Sequence, residues 1–156
     1  MNKKQQVIFL WNGGPKNFVK VCLQSLREYN KNCTINFFYN NFFTKLTYKK
    51  YNINFIKINN KLLRKGTMFY KINIVKDLSE KLEKDTELLI LDLDLLFQDD
   101  PFKMFKDNKN NDIYYSCSIM SKPESLRPEK IWKGVDYKVN GGVWGIKISS
   151  NIVAFM

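Results

Sequence analysis

Asp92 and Asp94 stand one residue apart in the middle of an apolar run, Leu88-Leu89-Ile90-Leu91-Asp92-Leu93-Asp94-Leu95-Leu96-Phe97. An ionised carboxylate taken out of water without a partner costs several kcal/mol or is driven to neutralise. A hard divalent cation is the simplest partner for two of them. Mg²⁺ or Mn²⁺ held by one or two carboxylates fills the rest of its shell with water and phosphate oxygens. The alternative is a strand end at which both acids turn out to water or cap the next turn, since D-x-D is a short pattern with many chance matches. The run is bounded by Asp85-Thr86-Glu87 and Gln98-Asp99-Asp100-Pro101 and predicts a strand buried on both faces, as in a parallel sheet covered by helices. If the chain stays extended, alternation sets Asp92 and Asp94 on one side and Leu91, Leu93 and Leu95 on the other.

Other chemistries are short of residues. There is no histidine, which removes the commonest general base and any Ser-His or Cys-His nucleophile pair. Cys22, Cys33 and Cys117 are odd in number and far apart, so neither a disulfide framework nor a zinc site is indicated. No run approaches the ~18 apolar residues of a membrane span, and Val7 to Trp11 is too short and wrongly flanked for a signal peptide. A reducing cytoplasm is the expected location. The net charge of +11 could serve nucleic acid, anionic phospholipid headgroups or a polyanionic substrate. Lys45, Lys49, Lys50, Lys57, Lys61, Arg64 and Lys65 surround Tyr48, Tyr51 and Phe55, as in a groove for single-stranded nucleic acid. Ile53 and Phe55 read better, however, as the inner face of a strand, and only Arg27, Arg64 and Arg127 of the 26 basic residues are arginine. Nucleic acid is therefore not the favoured partner.

The elements that must position the two acids alternate between strand and helix. Val7 to Trp11 predicts a short buried strand, followed by a turn at Asn12-Gly13-Gly14-Pro15, and Phe18, Val19, Cys22, Leu23 and Leu26 recur at helical spacing as far as Tyr29-Asn30. Thr34 to Tyr39 is the second strand, Phe43 to Lys50 a helix or turn, and Ile53 to Ile58 a third strand. Met68, Phe69, Ile72, Val75, Leu78 and Leu82 mark a helix reaching about Lys84. Beyond the acids, Asp100-Pro101 opens a short helix through Phe105. Ile113 to Ser118 is a strand, Ser121 to Asp136 a surface loop, and Val143 to Ile148 a last strand before a possible cap at Ser149-Ser150-Asn151. With 156 residues and 44% hydrophobic content, one α/β domain with a mainly parallel sheet flanked by helices is expected. Its ligand crevice would lie at the carboxyl ends of the strands, where Asn12-Gly13-Gly14, Asn40-Asn41 and the two acids converge. The glycines form either a plain tight turn or a close approach for a ligand, and G-G-P-K matches neither phosphate-loop fingerprint.

Ile90-Leu91-Asp92-Leu93-Asp94, with Phe97 and the Asp100-Pro101-Phe102 helix, resembles the D-x-D segment of the GT-A (Rossmann-like) nucleotide-sugar glycosyltransferases, most closely glycosyltransferase family eight, which includes glycogenin and bacterial lipopolysaccharide glycosyltransferases. Met68-Phe69-Tyr70-Lys71-Ile72 resembles that family's aromatic and basic residues on the helix before the D-x-D strand, and Asn140-Gly141-Gly142-Val143 its N-x-G-V segment. The resemblance implies transfer of a sugar from a nucleotide-diphosphate-sugar donor, usually UDP-linked, to a glycan, lipid-linked or protein acceptor. It also implies Mn²⁺ or Mg²⁺ on Asp92 and Asp94. Lys71 would add positive charge at the phosphates, Leu93 lies between the metal-binding acids, Asn140, Gly141 and Gly142 would hold sugar hydroxyls, and Asn12, Gly13 and Asn40 would face the nucleoside. The family usually adds a histidine ligand and acceptor-binding residues downstream, whereas this chain has no histidine and stops at Met156. The expectation is thus a donor-binding domain over 1–156 that lacks the acceptor-binding part. Two other readings stay open: an inactive nucleotide-sugar and metal-binding remnant, and a haloacid-dehalogenase-type phosphatase with Asp92 as nucleophile.

Overall fold

A computed structural model describes residues 2–11, 13, 16–40, 48, 51–58, 67–107, 109–118 and 138–149. The described chain runs β1 (Asn2–Trp11), α1 (Lys16–Tyr29), β2 (Cys33–Tyr39), β3 (Ile53–Lys57), α2 (Thr67–Ser79), β4 (Glu87–Leu91), α3 (Lys103–Asp107), β5 (Ile113–Ser118) and β6 (Lys138–Lys147). One mixed sheet has the order β3-β2-β1-β4-β6-β5. β3, β2, β1 and β4 pair in parallel, and β6 runs antiparallel to both β4 and β5. The expected α/β, mainly parallel, single-domain architecture is the one observed.

Two apolar layers sandwich the sheet. Val19, Cys22, Leu23 and Leu26 repeat at three and four residues, so α1 turns one buried stripe onto Val7, Phe9, Ile35, Phe37, Leu89 and Leu91. On the other face Ile74, Val75 and Leu78 of α2 pack against Ile8, Phe38, Leu88, Ile90 and Ile146. β4 contributes to both layers, which is why its sequence reads as continuous Leu and Ile. Each such side chain contributes roughly 1.5–3 kcal/mol when fully buried. The aromatics of the basic segment belong to the first layer. Phe55 lies 5.7 Å from Phe37 and 5.9 Å from Tyr39 between ring centroids, and buried Tyr48 donates its hydroxyl to Lys16 O at 2.7 Å. Those rings form core and not a stacking platform, in keeping with the strand reading of Ile53 and Phe55.

Arg27 closes the carboxyl end of α1. Its guanidinium donates to the carbonyls of Cys33 at 2.9 Å, Tyr51 at 3.0 Å and Asn52 at 3.2 Å, tying the helix end to the entries of β2 and β3. α2 stops at Ser79, short of the expected end near Lys84. The Ser79 hydroxyl donates to Lys76 O at 2.8 Å, and Asp85 takes a left-handed φ of 65° that turns the chain into β4. β6 is longer than expected and begins at Lys138, so Asn140-Gly141-Gly142 lies within a strand and not in a turn before one. Gly145 in that strand leaves room for a neighbour, since a Cβ there would sit 2.9 Å from Met104 Sδ and 3.0 Å from Phe105 Cζ. The expected helix or turn over Phe43–Lys50 falls outside the described residues except at Tyr48. The Ser121–Asp136 loop falls outside them entirely, and of the expected cap at Ser149-Ser150-Asn151 only Ser149 is described.

Candidate active site at the carboxyl end of the parallel strands

Strand register brings the candidate residues to one edge. Trp11 pairs with Tyr39 and Phe9 with Leu91, so the segments that follow β1, β2 and β4 leave the sheet side by side, about 4.8 Å from strand to strand. Asn12 lies outside the described residues. Gly13, directly beyond it, is exposed at φ 113°, a conformation a side chain resists, and Asn40 is half-buried at the end of β2.

β4 ends at Leu91, and the chain turns at Leu93-Asp94. The expectation of one extended strand through Phe97 therefore fails, and with it the strand alternation that would set Asp92 and Asp94 on one side. The two acids emerge at a strand end, the environment weighed above as the alternative to burial. Asp92 keeps its side chain 46% exposed, and Asp94 is exposed. Asp92 is nevertheless held. Its N–H donates to Gly142 O at 2.8 Å, extending the β4–β6 ladder by one bond, and its carboxylate accepts from the ammonium of Lys71. That ammonium comes from the sheet-facing side of α2, where Lys71 is 5% exposed between Tyr70 and Ile74 in sequence. Lys71 thus sets a positive charge among the buried apolar residues Ile74 and Val75 of the helix, where β4 stops being apolar. A charge-assisted bond of this kind is about twice as strong as a neutral one.

The turn after β4 is held from the other face by α1. The Cys22 thiol lies 3.9 Å from Asp92 O, and the Ser25 hydroxyl accepts from Phe97 N–H at 3.2 Å while donating to Cys22 O at 3.1 Å. Burial pushes the Cys22 thiol up to about 12, against a hydrogen bond from Leu95 and with the nearby Asp94 carboxylate adding to the rise. Cys22 and Ser25 were not singled out as site residues above. The visible signal was one small polar residue, Ser25, inside an apolar helical stripe.

The third side of the site is an irregularity in β6. Between β5 and β6 the register moves from Tyr115↔Trp144 to Ser116↔Asn140, so Gly141, Gly142 and Val143 bulge on one strand only. Val143 still pairs with Leu91, which sets Gly142 O opposite Asp92. Of the residues expected at the site, the structure gathers Lys71, Asp92, Leu93, Asp94 and Gly142 at the end of β4, with Asn140 and Gly141 continuing the bulging strand. Gly13 and Asn40 follow the neighbouring strand ends.

Two hard carboxylate groups with water access suit a divalent cation that keeps waters and phosphate oxygens in its shell. Among the described residues no group of three or more His, Cys, Asp or Glu forms that could complete a protein cage. Asp92 and Asp94 would supply two carboxylate ligands at most, so a cation held there would keep positions open for water or substrate. Among the described residues no helix is long and apolar enough to cross a membrane.

No family model and no curated protein matches this chain. Solved structures do. The galactosyltransferase LgtC, solved in complex with donor and acceptor sugar analogs, superposes with a TM-score of 0.61 at 15% identity over 92% of this chain and 58% of its own. The glycosyltransferase GlyE of Streptococcus pneumoniae TIGR4 gives 0.54 at 20% identity, over 94% of this chain and 34% of its own. HddC from Yersinia pseudotuberculosis gives 0.58 at 16% identity, over 97% and 79%. The likeness is one of fold, the GT-A-like architecture. This chain spans a little over half the length of LgtC and about a third of GlyE.

Proposed function

We propose that this chain is the donor-binding domain of a glycosyltransferase, taking a nucleotide-diphosphate-sugar of the UDP class and passing the sugar to a glycan, lipid-linked or protein acceptor. The observation that carries the reading is the ion pair of buried Lys71 with Asp92 at the carboxyl end of β4, in a fold shared with LgtC and GlyE. Rupture of the glycosidic bond leaves negative charge on the departing diphosphate, so fixed positive charge lowers that barrier more than it tightens ground-state binding. Asp92 and Asp94 would hold Mn²⁺ or Mg²⁺, whose charge stabilises the diphosphate as it leaves. Lys71 adds an ammonium fixed in a low-dielectric layer, where its field is less screened than at the surface. Leu93 and the Gly141-Gly142 backbone flank the sugar with Asn140, while Asn12, Gly13 and Asn40 contact the nucleoside. The net charge of +11 suits work on the cytoplasmic side of an anionic membrane.

Isothermal titration of UDP, UDP-glucose and UDP-galactose with Mn²⁺, with EDTA, and into Asp94→Asn tests the reading. Because Asp94 is exposed, this variant changes stability by no more than about 0.5 kcal/mol. Binding that needs the metal and disappears in Asp94→Asn supports a donor site. Absence of nucleotide binding in every condition refutes it.

A further inference from the structure

At the opposite, amino end of the parallel strands, on the α2 face, lies a cavity of about 450 Å³. Farther along the same strands this face is apolar, with Ile8 and Phe38 buried in the α2 layer and Ile56 packed against it. At its amino end the pattern changes to Gln6, Asn36 and Asn54, one from each of three adjacent strands. Asn54 donates its amide to Asn36 Oδ1 at 3.3 Å, and Asn36 donates to Gln6 Oε1 at 2.9 Å, forming one directed row across β3, β2 and β1. Asn36 is 7% exposed, so a polar group stands where the strand pattern otherwise buries apolar side chains. A carboxamide carries two donor hydrogens and two acceptor lone pairs. The row uses one donor and one acceptor of Asn36 and one donor of Asn54, and both residues line the cavity.

We propose that this cavity is a binding site for a neutral polyhydroxylated ligand, a sugar ring or a short glycan. Amides spaced by neighbouring strands, about 4.8 Å apart, present alternating donors and acceptors to a ligand whose hydroxyls are themselves both. Lys81 and Glu83 at the lining carry opposite charges and select for no net charge, and Leu82 supplies an apolar contact for ring C–H groups. A nucleobase would need a stacking surface, and among the described residues no aromatic side chain lines the cavity. The site does not depend on the D-x-D end of the sheet and stands or falls separately from the donor reading.

The test is NMR of the full chain, following the side-chain amide signals of Gln6, Asn36 and Asn54 during titration with methyl glucoside, methyl galactoside, N-acetylglucosamine and maltotriose. UDP and glutamate serve as charged competitors of other classes. Asn54→Ala removes the outer rung at an exposed position, so the backbone spectrum stays that of the folded protein. The expected result is saturable shifts of those amides with at least one sugar, weakened about threefold to tenfold in Asn54→Ala. Shifts that ignore the substitution, no shift with any sugar, or shifts with UDP or glutamate alone overturn the proposal.

Discussion

Replacing Lys71 by Met and, separately, Asp92 by Ala breaks the same ion pair from its two ends, and the structure predicts unequal costs. Lys71 has 6% of its side chain exposed and Asp92 46%. In Lys71→Met the thioether chain keeps most of the buried stem's packing, and the carboxylate left behind already faces water. The loss is then the net value of one charge-assisted bond, about 1–2 kcal/mol. In Asp92→Ala the ammonium stays inside the α2 layer and loses the carboxylate that it faces. Leaving a mostly buried ammonium short of its carboxylate costs more than the net value of the bond, about 2–4 kcal/mol once the half-exposed partner is discounted. In a chain of this size a difference of 1–2 kcal/mol separates the thermal midpoints by roughly 2–8 °C. Thermal unfolding followed by circular dichroism, in the absence of metal and nucleotide, reads both variants directly. The more exposed residue of the pair is expected to be the more expensive to remove. If Lys71→Met proves as costly as Asp92→Ala, or costlier, the reasoning from unequal burial is wrong.

Two further predictions concern the walls of the site. Gly145→Ala should destabilise the fold by about 1–3 kcal/mol in urea unfolding, because the added methyl meets Met104 and Phe105 inside 3.1 Å, and it should leave the β4 end intact. Burial raises the Cys22 thiol from 9.0 to about 12, so this group's contribution to stability is complete below pH 9 and declines between pH 9 and 12, where the unfolded thiol ionises and the folded one does not. The unfolding free energy of the native chain should therefore fall faster over that window than that of Cys22→Ala, and equal slopes would show that the thiol is not shielded.

Much of this architecture is written in local patterns. The apolar runs of β1 and β2, the stripe of Val19, Cys22, Leu23 and Leu26, and the buried Leu-Ile run before Asp92 each follow from a period set by backbone geometry, which needs no knowledge of the partner surface. The crevice at the strand ends follows from parallel connectivity alone. The extent of β4 could not be read in the same way. Leu93, Leu95 and Phe97 continue the apolar pattern after the strand has ended, and they serve the core from a turn.

What the residues could not disclose depends on contacts distant in sequence. Asn140-Gly141-Gly142 has the composition of a turn, yet it lies in a strand because Ser116 of β5 pairs with Asn140 and the Asp92 N–H reaches Gly142 O, and partners that far along the chain leave no local trace. Lys71 has the sequence context of any helix lysine; only the packing of α2 on the sheet buries it and brings it to Asp92. Gln6, Asn36 and Asn54 are unremarked polar residues within three separate strands until parallel register aligns them in one row. Elements follow from periodicity because their hydrogen bonds are local. The acid–lysine pair, the β6 bulge and the amide row follow from register and packing, which the chain settles only when its strands meet.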